Sequence, residues 1–359
     1  MVKLLNCKKL DFENIVKGKK IICFGSGRGL EDLLKKYPFL IEKTSCILDN
    51  YKHGVFFEKL GYKIPIVSVS KIDGIPEDTI LIISAFLYST EIIKQLDNDS
   101  RFNNVSVYVP GIFENNNTMV DIHMKKDRDV IPKKLHYFWV GPSEMPDQFK
   151  KNVETWKKYC PEYEIVFWNE DNYDISKCRY MQEAYDAKKW GFVPDYARLD
   201  IINTHGGIYL DTDVELLKPL DDLLGYDLFC GFESDEYVAF GLGFGGTPNN
   251  PILEDMMRQY ERMSFVKDDG SLNLVASPVF QTEVLKKYGL KCDGSYQELR
   301  GVTVFPKEVF APYTALGVGQ ITQNTYSIHQ YAATWFDEVM VDNKKKFLDN
   351  TKYLLSRVK

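Results

Sequence analysis

Gly206-Gly207-Ile208-Tyr209-Leu210-Asp211-Thr212-Asp213 is the stretch on which the reading of this chain turns. The Gly-Gly pair ends a helical pattern that begins at Pro194, and Ile208-Tyr209-Leu210 then runs as a short buried strand. The strand closes on two carboxylates. Where a strand ends the chain can turn, and Asp211 and Asp213 can then approach one hard cation, directly or through water. Mg²⁺ and Mn²⁺ favour such oxygen ligands and keep positions open for phosphate oxygens. A bare Asp-x-Asp is common in solvated turns; the glycine-led strand in front of this one makes it specific.

Just upstream, Pro194-Asp195-Tyr196-Ala197-Arg198-Leu199-Asp200 sets Asp195 and Arg198 at i, i+3 on one helix face. As a surface feature the pair is a dipole-complementing acid plus a salt bridge worth under about 1 kcal/mol. Beside a metal it grips hydroxyls or phosphate of a ligand. Farther upstream, His136-Tyr137-Phe138-Trp139-Val140-Gly141 reads as an aromatic strand. Phe138 suits a core, whereas a Trp at the strand's end, followed by Gly, suits stacking on a nucleobase.

Around these motifs the pattern is α/β. Strands are predicted over 134–140, 163–168, 208–210, 227–232, 238–243, 302–305 and 326–331. Helices are predicted over 146–159, 176–190, 194–205, 251–263 and 279–288. A separate small α/β unit precedes them, with strands predicted over 20–24, 45–50, 64–69, 79–84 and 105–109, an alternation that implies a parallel sheet. A polar, Asn-rich run over 114–130 places a boundary near residue 120.

Composition is that of a soluble globular chain: 359 residues, 44% hydrophobic and 27% charged, with a net charge of −6 that argues against a general nucleic-acid binder. The seven cysteines are scattered without any C-x-x-C, which supports neither a disulfide framework nor a zinc ribbon. No apolar stretch is long enough to span a bilayer and no signal peptide is visible, so the expected location is the cytoplasm or the inner face of the plasma membrane.

Taken together, the motifs in this order resemble glycosyltransferase family 32, the D-x-D sugar transferases. The resemblance runs through residues 131–141, 156–165, 168–172, 193–198 and 206–213, is dense over 131–217 and thins toward 336. It looks most like bacterial capsule and surface-polysaccharide transferases and is more distantly similar to the glucosyltransferase domain of large clostridial toxins. It implies a GT-A fold after a Rossmann-like domain, and domains at 1–120 and 121–342, followed by a basic tail over 343–359. The implied activity is retaining transfer of a sugar from a nucleotide-sugar donor, UDP-linked by resemblance, to a glycan or lipid-linked glycan acceptor, with Mn²⁺ or Mg²⁺. Asp211 and Asp213 take the metal and diphosphate, with His329 a further ligand. Asp195 and Arg198 hold the donor sugar. His136, Trp139, Tyr209, Thr334 and Trp335 contribute to nucleotide-sugar binding. Two departures stand out: Gln330 where a second His is common, and Ala333-Thr334-Trp335 in place of Gly-Ser-Trp.

Two other features keep other readings open. Gly25-Ser26-Gly27-Arg28-Gly29 follows a strand, opens a helix and has Asp49 about twenty residues on, which mimics a dinucleotide site although Leu30 stands where its last glycine belongs. An NAD(P)-binding enzyme and a non-catalytic scaffold of a polysaccharide assembly complex are therefore the competing classes. The tail over 343–359 has six Lys/Arg against one Asp, with Phe347, Leu354, Leu355 and Val358 on one helical flank. It is expected either to pack on the catalytic domain or to lie on an anionic bilayer.

Overall fold

The computed structural model describes residues 1–5, 9–59, 61–110, 112, 122, 128–332 and 338–358. The chain divides into two compact units: residues 1–116 with 316–318 and 337–359, and residues 117–315 with 319–336. Most of the predicted linker over 114–130 lies outside the described residues.

The first unit is built on strands β1 (Lys3–Leu4), β2 (Lys20–Phe24), β3 (Thr44–Leu48), β4 (Val55–Lys59), β5 (Tyr62–Val67), β6 (Thr79–Ile83) and β7 (Ser106–Tyr108). Its helices are α1 (Lys9–Ile15), α2 (Arg28–Lys36), α3 (Phe39–Lys43) and α4 (Ser89–Asp97). The strand order is β1-β7-β6-β2-β3-β5-β4, parallel throughout except for the antiparallel pair β4–β5. Strand β4 has no counterpart among the predicted strands. It is an edge strand with Phe57 as its one buried residue, and its apolar run is only the three residues Val55–Phe57, too short to read as a strand.

Strand β2 lies between β3 and β6, and the glycine-rich turn follows it at the point where the strand order reverses. The turn is explained by packing. A Cβ on Gly29 would stand 2.2 Å from the Ser84 carbonyl oxygen, and one on Gly25 would stand 2.6 Å from the Ala85 Cβ. The Asp49 carboxylate accepts from the Ser26 amide (2.9 Å) and hydroxyl (2.7 Å) and from the amides of Tyr51 (2.9 Å) and Lys52 (3.0 Å). Those four bonds use the four acceptor positions that a nucleotide ribose would need.

The C-terminal helix α10 (Glu338–Arg357) belongs to this first unit. Leu354 is fully buried in its core, with Tyr353, Leu355 and Val358 packed beside it. Phe347 stacks on Phe86 at 5.2 Å, and the Asn350 side-chain amide donates to the carbonyls of Phe86 (3.0 Å) and Leu87 (2.9 Å). Lys346 pairs with Glu91, and Arg357 with Asp97. This corrects the expectation for the tail. Its apolar flank is consumed by the small α/β unit, not by the catalytic domain and not by a bilayer. No described helix is long and apolar enough to cross a membrane.

The second unit carries strands β8 (Lys134–Phe138), β9 (Glu164–Trp168), β10 (Gly207–Tyr209), β11 (Val214–Leu216), β12 (Leu228–Phe232), β13 (Val238–Ala239), β14 (Phe244–Gly246), β15 (Gln297–Leu299), β16 (Val302–Phe305) and β17 (Ser327–His329). Its helices are α5 (Asp147–Tyr159), α6 (Arg179–Asp186), α7 (Pro194–His205), α8 (Pro251–Glu261) and α9 (Ser277–Lys287). The main sheet runs β15-β16-β12-β14-β10-β8-β9 and is mixed: β10 is parallel to β8 and antiparallel to β14. The α/β class is the one the sequence implies. The long strand predicted over 238–243 is instead two short strands parted by Phe240–Gly243.

The Gly-Gly pair has a local cause. Gly206 closes α7 at φ +63° and Gly207 opens β10 at φ +109°, where L side chains are strained. A Cβ on Gly207 would also stand 2.8 Å from the Lys134 carbonyl oxygen on the neighbouring strand. Helix α7 can therefore turn directly into the sheet beside β8, which delivers Asp211 and Asp213 at the strand's carboxyl end.

Candidate active site

Helix α7 buries the charged residues Asp195, Arg198 and Asp200 alongside its apolar residues. Charged side chains are rarely buried unless paired, so each needs a partner. Asp200 has structural ones: the Tyr173 hydroxyl and the Lys177 ammonium, each at 2.7 Å. Arg198 Nη2 lies 3.1 Å from Asp195 Oδ1 and 3.5 Å from Asp211 Oδ1, and Nε donates to the Pro194 carbonyl at 3.1 Å. Its guanidinium stands 5.6 Å above the ring of Tyr209, which is completely buried. One cation thus holds two carboxylates from separate elements, and much of its donor capacity is spent inside the protein.

The other half of the site is closed by a two-stranded ladder. Strand β11, directly after the Asp-x-Asp, pairs antiparallel with β17, so Val214 faces His329. His329 Nε2 is thereby brought to 3.2 Å from Asp213 Oδ1. The Ala332 amide donates to Asp213 Oδ2 at 2.8 Å, and the Gln330 amide to the Asp213 carbonyl at 2.9 Å. Helix α5 pins the same segment: the Asn152 amide donates to the Thr212 carbonyl and the Trp156 indole to the Val214 carbonyl. Gln330 also exchanges hydrogen bonds with Asn152, so it serves the scaffold.

Charges in this pocket act on one another. Burial lifts the Asp195 carboxyl to about 6; Arg198 opposes the rise and Asp211 adds to it. Burial likewise lifts Asp211, with Arg198 opposing and Asp213 adding. Burial would also lift Asp213, but the His329 imidazole and the Ala332 amide outweigh it and hold the carboxyl at about 2. Glu233, at the end of β12, feels the same field: burial lifts it, His329 opposes, and Asp213 and Asp211 add.

Oxygens of Asp211 and Asp213 and a nitrogen of His329 all lie within 4.8 Å of one another. Two carboxylates and an imidazole form a donor set that suits a divalent first-row cation such as Mn²⁺, and the three fit one ion. His329 Nδ1 is buried and makes no hydrogen bond among the described residues.

The structure therefore gathers Asp195, Arg198, Tyr209, Asp211, Asp213 and His329, drawn from α7, the β10 end and β17. His136 is placed differently. Its Nδ1 accepts from the Trp168 indole at 3.1 Å and its Nε2 faces the Gly206 carbonyl at 3.0 Å, so both nitrogens are committed to the scaffold and no ring nitrogen is left for a ligand. Trp139 is half-buried, donates its indole N–H to the Ser143 carbonyl and packs at a tilt on Phe149, 5.7 Å away. Thr334 and Trp335 lie outside the described residues.

Two contributors were not among the predicted site residues. Gly241 supplies the carbonyl that accepts the Asp211 amide at 3.3 Å. Helix α9 backs that loop: Gln281 Oε1 accepts the Phe240 amide at 3.0 Å. The glycine-rich run Phe240-Gly241-Leu242-Gly243 was the signal available for the loop. Nothing local marks Gln281.

Residues 146–230 match the family model described as a glycosyltransferase sugar-binding region containing the DXD motif, so the resemblance seen in the sequence is confirmed over that segment. An uncharacterized glycosyltransferase of Acanthamoeba polyphaga mimivirus is 27% identical over 157 residues, covering 41% of this chain and 61% of the relative. Inositol phosphoceramide mannosyltransferase 1 of Schizosaccharomyces pombe is 23% identical over 176 residues, covering 45% of this chain and 53% of the relative. Among solved structures, a PaToxG glycosyltransferase aligns at a TM-score of 0.37 and 18% identity over 44% of this chain and 68% of that one. The matched segments thus span 53% to 61% of the length of these two curated relatives.

Proposed function

We propose that this chain is a metal-dependent, retaining glycosyltransferase. In this reading it moves a sugar from a nucleotide donor, UDP-linked, to a glycan or lipid-linked glycan of a surface polysaccharide. The observation that carries it is the meeting of buried Asp195 and Arg198 with the partly exposed Asp211, Asp213 and His329 in one cluster at the carboxyl end of β10. The matched DXD region and relatives named as glycosyltransferases and mannosyltransferases support the reaction class. The name of the fission-yeast relative supports an acceptor with a lipid part.

Asp211, Asp213 and His329 would hold the divalent ion. When bound it neutralises charge that develops on the departing diphosphate, worth several kcal/mol with no proton transfer. The chain's own residues do the rest. Arg198 fixes Asp195 and Asp211 in place and screens them from each other. Asp195, held by Arg198, presents acceptor oxygens to the hydroxyls of the donor sugar. The Gly241 carbonyl, which accepts the Asp211 amide, and the Ala332 amide, which donates to the Asp213 carboxylate, hold the two aspartates side by side against their mutual repulsion. No nucleophile is required from the protein. The acceptor hydroxyl attacks the anomeric carbon from the face the diphosphate is leaving, the bond to phosphate oxygen breaks, and the hydroxyl proton passes to that phosphate oxygen.

The test is slow donor hydrolysis in water, which needs no acceptor. With Mn²⁺ and a panel of nucleotide sugars, Asp213→Asn is expected to lose at least about 10²-fold in turnover, the loss typical of one electrostatic stabiliser. Wild-type turnover by that variant in limiting Mn²⁺ would sink the assignment.

A further inference from the structure

Tyr331 stands at φ +50°, in the left-handed region that a bulky side chain rarely occupies. Such a conformation persists only where its surroundings hold it, and it gathers at functional sites. Its neighbours show what it does here. Up to Gln330 the chain follows the β11–β17 ladder: Val214 faces His329, and the Gln330 amide donates to the Asp213 carbonyl at 2.9 Å. An extended chain would run on past Asp213 at about 3.3 Å per residue. The left-handed turn at Tyr331 instead folds the Ala332 amide back, and that amide donates to Asp213 Oδ2 at 2.8 Å. Asp213 is thus held at its backbone and at one carboxylate oxygen by the two residues that flank Tyr331. Its other oxygen, Oδ1, lies 3.2 Å from His329 Nε2.

The side chain of Tyr331 adds a second constraint. Its ring meets the imidazole of His329 edge to face, with centroids 4.3 Å apart and planes at 74°. A metal-binding histidine is ordinarily aimed by a hydrogen bond from its other ring nitrogen to a carboxylate or a carbonyl. His329 Nδ1 is buried and has no such partner among the described residues. Its orientation comes from packing, and among the described residues Tyr331 is the aromatic ring packed on it.

We propose that Tyr331 is the positioning residue of the Asp213–His329 pair. Its ring does for the imidazole what a hydrogen bond at Nδ1 does elsewhere. Its left-handed backbone commits one Asp213 oxygen to Ala332, so that the other stays beside His329 Nε2. This rests on the metal-dependent reading above and adds what keeps two of the three metal donors in register before an ion arrives. Tyr331 acts through Asp213 and His329. Its two contributions separate by substitution: Tyr331→Phe keeps the ring, Tyr331→Asn drops the ring but tolerates the left-handed turn, and Tyr331→Val drops the ring and resists the turn as well.

The experiment titrates the metal-free full chain with Mn²⁺, alone and with UDP against a blank of UDP and Mn²⁺, and reads the free ion by electron paramagnetic resonance. Tyr331→Phe is expected to keep its Mn²⁺ affinity within about threefold of wild type, and Tyr331→Asn to lose at least about tenfold, the loss typical of a missing outer partner of a metal ligand. Tyr331→Val should be weaker again by at least about threefold, because the turn is then opposed too. Metal-free melting midpoints accompany each titration. A lowered midpoint with unchanged Mn²⁺ affinity in Tyr331→Asn makes the residue purely structural and overturns the proposal. A loss in Tyr331→Phe as large as that in Tyr331→Asn overturns the role of the ring, and equal affinities of the Val and Asn variants overturn that of the backbone. Asp213→Asn reads the metal assignment separately. If the wild type takes up no more Mn²⁺ than that variant, with or without UDP, the metal site itself falls. If it takes up more, and Tyr331→Asn matches it, the role of Tyr331 alone falls.

Discussion

Gly241 and Asp211 are locked together from two sides. The Asp211 amide donates to the Gly241 carbonyl at 3.3 Å, and a methyl group on Gly241 would stand 2.2 Å from Asp211 Oδ2 and 2.9 Å from Arg198 Nη1. The glycine is therefore the wall of the carboxylate pocket. Gly241→Ala should push Asp211 off its position and lower donor hydrolysis by about 10²-fold or more, with a stability loss of about 1–3 kcal/mol from overpacking. Turnover and urea midpoints check both; unchanged turnover would mean that Asp211 is not needed where it stands.

Arg198→Ala leaves the buried Asp195 and the partly buried Asp211 without their shared cation. Both carboxyls already sit above the ordinary range through burial, and removing the guanidinium lifts them further. A carboxyl raised in the folded state contributes stability below its unfolded pKa and loses it as pH rises through the folded value. The deficit of the variant is thus expected to be about 3–5 kcal/mol at pH 8 and smaller at pH 5. Urea titrations at the two pH values measure it, and equal deficits would refute the pairing.

His136 supplies a pH dependence that involves no ligand. Burial holds its imidazole down at about 4, with the Gly206 carbonyl offsetting only part of the effect. A histidine depressed in the folded state contributes stability above its unfolded pKa, and that stability is lost as pH falls from about 6.5 to about 4, at most about 3 kcal/mol. His136→Gln keeps one donor and one acceptor but does not titrate. Relative to the variant, the wild type should lose stability across that window; parallel acid limbs would show that His136 titrates alike in the folded and unfolded chain.

Trp139→Ala tests the nucleobase reading. Stacking on a base is made equally in the ground and transition states. The variant should bind free UDP more weakly, by about 1–3 kcal/mol, while the turnover at saturating donor changes little. Calorimetry with UDP and saturation kinetics separate the two quantities. Unchanged UDP affinity would leave Trp139 to its contact with Phe149.

The sequence was most legible where local chemistry and tertiary fate coincide. Helix α7 has the bounds predicted from its proline and Gly-Gly ends, and β2 and β16 match their apolar runs. Asp195, Arg198, Asp211 and Asp213 were readable because a helix, a glycine break and a strand deliver them within nineteen consecutive positions. His329 was readable only by resemblance, since its proximity to Asp213 depends on the β11–β17 ladder across more than a hundred residues. His136 misled because an aromatic strand says nothing of which nitrogen acceptors and carbonyls its neighbours present; Trp168 and Gly206 claim the ring. The basic tail misled for a similar reason. An amphipathic helix announces an apolar flank but not which surface covers it.

That helix has a consequence for how the protein is made. Leu354 completes a core whose other members lie mostly between Val2 and Ile112. On a ribosome, the amino-terminal unit therefore emerges early yet lacks one wall until the last helix is synthesised, some 200 residues and the whole second unit later. Its exposed apolar seam must be sheltered in the interval, by a chaperone or by provisional packing of the nascent chain. Nascent chains stalled near residue 330 should be cut by protease within the first unit, whereas chains that have carried residues 338–358 clear of the ribosome should resist, so a helix made late gives the earlier unit its stability.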